Sequence, residues 1–88
     1  LVIMNEQPKI ADGIDINEVE DGYVIYQQEK DKVHYLNKTA VLVLESCTGE
    51  NTIADIGTII KNAYELPQVP EKEVTDCLDT LSQEGLIK

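Results

Sequence analysis

The sequence predicts an α+β domain, a three-stranded antiparallel sheet followed by three helices. Three observations carry that prediction. Apolar–polar alternation and an Asp21-Gly22 turn signal lie before Asn37. Apolar residues at helical three-and-four spacing recur only after it. Strands and helices are therefore segregated along the chain, which indicates α+β rather than a parallel α/β sheet.

Residues 1–12 show no period and read as a flexible arm, so the domain proper is expected over 13–88. Ile14-Asp15-Ile16-Asn17 alternates as a half-buried strand does. The phase slips at Val19, which suggests a bulge next to the turn. Asp21-Gly22 suits a tight hairpin turn because glycine tolerates positive φ. Tyr23-Val24-Ile25-Tyr26 has the β-branched and aromatic make-up of a second strand. A charged connection, Gln28 to Lys32, leads to a short third strand, Val33 to Leu36. Connections this short join strands antiparallel.

Asn37 is placed to cap a first helix over about Lys38 to Ser46, ending before Gly49. Ala40, Val41, Leu42, Val43 and Leu44 leave that helix no solvent face, so it must be covered on nearly every side. Thr52 opens a second helix, and Asp55 three residues on completes a capping-box pattern. Ile53, Ile56, Ile59, Ile60, Ala63 and Tyr64 form one stripe on it. Gly57 within that stripe costs about 1 kcal/mol against alanine, a cost that close approach of another helix would offset. Pro67 breaks the pattern, and Pro70 suits the first turn of a third helix. Glu71 and Glu73 sit well near its positive dipole end, and Val74, Cys77, Leu78 and Leu81 make its apolar stripe. Gly85 stops it, leaving Leu86-Ile87 as a tail that packs back on the core. A small sheet beside a helix-turn-helix pair is winged-helix-like.

Composition excludes several functions. With 88 residues, one domain is expected. The net charge is −10, with 17 acidic residues, seven lysines and no arginine. Affinity for nucleic acid rests on cationic neutralisation of phosphates, so neither nucleic acid nor an anionic membrane surface fits as partner. A winged-helix DNA-binding regulator is the first alternative, and its recognition helix would carry Glu71, Glu73, Asp76, Asp79 and Glu84 against Lys72 alone. No apolar run approaches the roughly 20 residues needed to cross a bilayer. Leu1 to Met4 is too short for a signal peptide and lacks a basic leading region. Cys47 and Cys77 stand thirty residues apart in apolar contexts, and with His34 they fall short of the four ligands of a structural zinc site. Buried free thiols and a reducing cytoplasm follow. No metal, cofactor or catalytic constellation is expected: a general base would need a positioned partner and a pocket, so His34 reads as an ordinary surface or groove residue, and Asp76 and Asp79 read as a solvated face.

The informative feature is the sheet edge. A three-stranded meander leaves the third strand with unpaired N–H and C=O groups. Lys30 and Lys32 beside it suit protection, whereas an open edge receives an extended peptide by strand addition. The third helix would form the other wall of the pocket through its stripe, with core packing as the competing role for Val74, Cys77, Leu78 and Leu81.

Over roughly residues 13 to 88 the chain resembles the PqqD-like family, the pyrroloquinoline quinone synthesis protein D proteins, whose fold is also called the RiPP recognition element. The carriers are Asp21-Gly22, Leu36-Asn37 with Thr39-Ala40, Leu44, Cys47 and Gly49. Thr52, Ile56, Tyr64, Val74, Leu78, Leu81 and the closing Gly85-Leu86-Ile87 continue them. Thr48 departs from an acidic residue common before the glycine, and the amino-terminal arm is unmatched. The resemblance implies a non-catalytic peptide chaperone. Such proteins bind the leader segment of a ribosomally made precursor peptide and present it to a modifying enzyme, often a radical S-adenosylmethionine enzyme. The implied peptide groove is Val33, His34, Tyr35 and Leu36 with Val74, Cys77, Leu78 and Leu81, and the resemblance leaves open which of them face the peptide. A structural dimerisation domain, with the edge paired to a second copy in a homodimer, is the second alternative.

Overall fold

A computed structural model describes residues 6–88. The strands are β1 (Ile14–Val19), β2 (Gly22–Gln27) and β3 (Lys32–Leu36), followed by α1 (Lys38–Ser46), α2 (Ile53–Ala63) and α3 (Glu71–Gln83). The sheet is antiparallel in the order β1-β2-β3. The order of elements is the one the sequence predicts.

Register divides the sheet into two faces. Ile16, Ile25 and His34 are directly opposed across the three strands, as are Asn17, Val24 and Tyr35. Because strand side chains alternate, the first set and its neighbours Ile14, Tyr23 and Leu36 point one way. That face packs on the helical core, and Ile25 is wholly buried. The second set points the other way.

α1 is the centre of the core. Asn37 Oδ1 accepts from the Ala40 N–H at 2.8 Å and starts the helix. Val41, Val43 and Leu44 are buried, and the helix packs against α2, α3, β2 and β3. Fully burying each such side chain contributes about 1.5–3 kcal/mol. The α2 capping box forms in both directions: the Asp55 N–H donates to Thr52 Oγ1 at 3.1 Å and the Thr52 N–H to Asp55 Oδ2 at 2.9 Å. α3 follows Pro70 and buries Val74, Leu78 and Leu81. Leu86 is buried in the tail, and its N–H donates to the Leu81 carbonyl at 2.9 Å.

Four expectations change. β1 pairs with β2 in unbroken register to Val19 opposite Gly22, so there is no bulge, and Val19 is simply exposed. Gly22 does not take positive φ. A Cβ there would lie 2.6 Å from the Tyr35 hydroxyl and 2.7 Å from the Leu36 carbonyl, so closeness rather than backbone freedom demands glycine. At Gly57 the close neighbour is Val69 of the α2–α3 loop, 2.6 Å from a built Cβ, not a second helix. Residues 6–11 are held by backbone pairing where an arm without fixed place was expected. The Ile10 N–H donates to the Cys47 carbonyl at 2.8 Å and the Ala11 N–H to the Leu86 carbonyl at 2.9 Å. The Lys88 N–H donates back to Lys9 at 2.7 Å. These bonds join the arm to two segments distant in sequence, which no local pattern encodes. The rest of the expected arm, residues 1–5, lies outside the described residues.

Candidate functional site: an open strand edge beside helix α3

β3 pairs with β2 on one side only, so among the described residues its other edge is unpaired. From Val33 to Leu36 its residues alternate in exposure. Val33 is 66% and Tyr35 59% exposed, whereas His34 and Leu36 turn toward the helices and are half-buried. The carboxyl-terminal end of α3 reaches this inner side, where Glu84 lies 3.7 Å from His34. The α3 residues Glu73, Cys77, Thr80 and Glu84 fall on one helical line, adjoining the buried stripe.

A polar network joins the end of α3 to the sheet. Gln27 is 3% exposed, and its Nε2 donates to the carbonyls of Glu84 and Gly85 at 3.2 and 3.3 Å. Its Oε1 is then the acceptor for His34 Nε2 at 3.0 Å, which assigns the proton to that nitrogen. His34 Nδ1 is left facing the Glu84 carboxylate at 3.7 Å. These bonds tie the end of α3 to β2 and β3 and satisfy a buried amide that would otherwise be costly.

An apolar cavity of about 520 Å³ lies between α1, the end of α2 and α3. Thr39 and Val43 of α1, Tyr64 after α2, and Glu73, Val74 and Cys77 of α3 line it. The Thr39 hydroxyl donates to the Tyr64 hydroxyl at 3.3 Å across its rim. The cavity has the size and apolar lining of a side-chain pocket.

The expected groove residues separate into three groups. His34 and Leu36 lie on the inner face of β3, whereas Cys77 lines the cavity, with Val74 on its wall although only 3% exposed. Val33 and Tyr35 project from the opposite face of the sheet. Leu78 and Leu81, expected as groove wall, are each 1% exposed and belong to the core. Leu78 instead reaches a smaller cavity of about 240 Å³ beside Asp79 and Ile87. A helix stripe wider than one contact line meets different neighbours at its two margins, and here only the Glu73–Cys77 margin meets the cavity. Sequence reasoning missed Thr39, Tyr64, Glu73, Gln27 and Glu84. The helical line through Cys77 was a signal for Glu73 and Glu84. Nothing local marks Gln27.

Burial disfavours the thiolate form of both cysteines. Burial, with the neighbouring Cys77 as a smaller cause, pushes the Cys47 thiol up to about 12, and burial also raises Cys77. Both are free. Among the described residues no cluster of His, Cys, Asp and Glu could hold a metal ion, and no helix is long and apolar enough to cross a membrane.

The family model described as coenzyme PQQ synthesis protein D (PqqD) matches residues 22–87. A solved structure described as lasso peptide synthetase B1 complexed with the leader peptide shares the fold, with a TM-score of 0.74. The alignment is 18% identical and covers 93% of this chain and 98% of that one. No curated protein matches the chain.

Proposed function

The chain belongs to the coenzyme PQQ synthesis protein D family, and from that premise we propose that it captures the leader segment of a ribosomally made precursor peptide and presents it to a modifying enzyme. The leader adds as a fourth strand along β3. Main-chain pairing supplies affinity, and alternate side chains enter the channel between β3 and α3. His34, Leu36 and Cys77 contact the leader, Glu73 stands at the pocket rim, and Val74 forms pocket wall. Val33 contributes main-chain pairing rather than a pocket contact.

The observations that support this reading most are the unpaired β3 edge and an apolar cavity whose lining begins at Thr39, three residues past the end of that strand. An edge alone is an aggregation hazard, which proteins normally cover or charge. The solved relative is described with a leader peptide bound to it.

The module acts by tethering and performs no chemistry of its own. Holding the leader raises the local concentration of the attached core peptide at the enzyme, up to roughly the mM range for a short linker. The tailoring enzyme is of radical S-adenosylmethionine type, and the reduced thiols fit a cytoplasmic setting. Fluorescence anisotropy with the labelled leader of the precursor from the same gene cluster tests the reading. The expected Kd lies in about the nM to μM range. Absence of binding to that leader overturns it.

A further inference from the structure

The outer face of the sheet is a second interaction surface. Val24 and Tyr35 are opposed on it, as are Tyr26 and Val33, and Val19 extends the apolar strip. The apolar residues of the sheet that pack against the core are Ile14, Ile16, Tyr23, Ile25 and Leu36, all from the inner face. Val33, Tyr35 and Val19 are 66%, 59% and 40% exposed, and they are three of the four large exposed apolar residues among the described residues. Three exposed apolar side chains on one face, with half-buried Val24 and Tyr26 between them, differ from the scattered apolar residues of an ordinary surface.

The face is also held in place. The Tyr35 hydroxyl donates to the Asp21 carbonyl at 2.6 Å, lying over Gly22, where a Cβ would obstruct it. The Tyr26 hydroxyl donates to Asp31 at 2.7 Å. Carboxylates stand beside its centre: Asp15 pairs in register with Tyr26 and Asp31 accepts from the Tyr26 hydroxyl, while Lys32 belongs to the alternate set of β3. A second copy would bring these carboxylates against their like. The complement is an apolar patch with basic residues around it.

On the reading that a leader pairs with β3, strand alternation sends every second leader side chain to this outer face. The face and the outward leader residues then form one continuous surface. We propose that the tailoring enzyme docks there through a basic, apolar patch, reading the carrier and its bound leader together.

The test uses the full chain, the leader, and the tailoring enzyme purified from the same gene cluster. Val19→Lys is the probe, because Val19 is 40% exposed on the same face and lies on β1, away from the β3 edge that pairs with the leader. Asn17→Lys, on exposed β1 of the same face and remote from the edge, is the second probe. Leader affinity measured by anisotropy should stay within about twofold, while enzyme affinity measured by biolayer interferometry falls about tenfold or more for each variant. Wild-type enzyme affinity should rise when leader is present and fall with added salt. Unchanged enzyme binding by both variants, with melting curves like the parent, overturns the docking surface. So does light scattering that shows a dimer broken by Val19→Lys, which would assign the face to a second copy. Failure of the wild type to bind leader while the two variants still lose the enzyme would instead remove only the leader reading.

Discussion

Cys77 and Leu78 are neighbours on α3 with opposite tasks, and a pair of substitutions separates them. Leu78 is 1% exposed in the core, so Leu78→Ala removes buried methyl groups and leaves a cavity. Such changes cost about 2–5 kcal/mol. In a domain of 60–100 residues about 1 kcal/mol moves Tm by roughly 4–8 °C. The expected drop is therefore about 10–30 °C, a large part of the roughly 5–15 kcal/mol that holds such a domain together. Leader affinity of the fraction still folded should stay within about twofold. Cys77→Phe has the reverse profile. Cys77 is half-buried and lines the 520 Å³ cavity, so the ring enters existing space instead of displacing core atoms. Its stability cost should stay below the roughly 1–3 kcal/mol of overpacking a filled core, while the occupied pocket lowers leader affinity about tenfold or more. Thermal melts by circular dichroism and anisotropy titrations at a temperature where both variants are folded provide the readouts. A fully folded Leu78→Ala that loses the leader, together with a Cys77→Phe that binds normally, would refute the division of α3 drawn here.

Three further outcomes are expected. Gly22→Ala should lower Tm, because its methyl meets both the Tyr35 hydroxyl and the Leu36 backbone carbonyl, and the Tyr35 ring must leave the Asp21 carbonyl to admit it; a melt equal to the parent's would show that the turn relaxes freely. Burial raises the Cys47 thiol from its usual 9.0 to about 12, so the fold favours the protonated form; that contribution is intact below about pH 9 and is lost as pH climbs toward 12, which urea titrations across this range would detect. At neutral pH Ellman's reagent should react with Cys77 before Cys47, since Cys47 is 1% exposed and Cys77 half-buried, with mass spectrometry identifying the labelled thiol.

Much of the local structure was legible because its causes are local. Asn37 and the Thr52–Asp55 pair satisfy helix N–H groups within three residues, and each cap forms as its sequence pattern implies. Alternation over Ile14 to Asn17 marked β1, and the continuous apolar run of α1 demanded a central position that burial of Val41, Val43 and Leu44 bears out. Gly22 and Gly57 were read for their backbone properties, yet what constrains each is a side chain or carbonyl from elsewhere in the chain. The site was half legible. An open third strand follows from a meander, but the cavity collects residues from α1, the end of α2 and α3, whose meeting depends on how three helices cross.

By itself, then, the sequence determined the kinds and order of elements, their caps and stops, the acidic character that disfavours phosphate partners, and the residues that share a helical or strand face. Those properties depend on chemistry within a few positions along the chain. Only the tertiary structure decided what each face meets. It turned Val33 and Tyr35 away from the channel, sank Leu78 and Leu81 into the core, tied residues 6–11 to the α1 end and the carboxyl-terminal tail, and brought Gln27 to the end of α3. Periodicity specifies which side chains point together; packing between elements far apart in sequence specifies whether they point at solvent, at the core, or into a pocket.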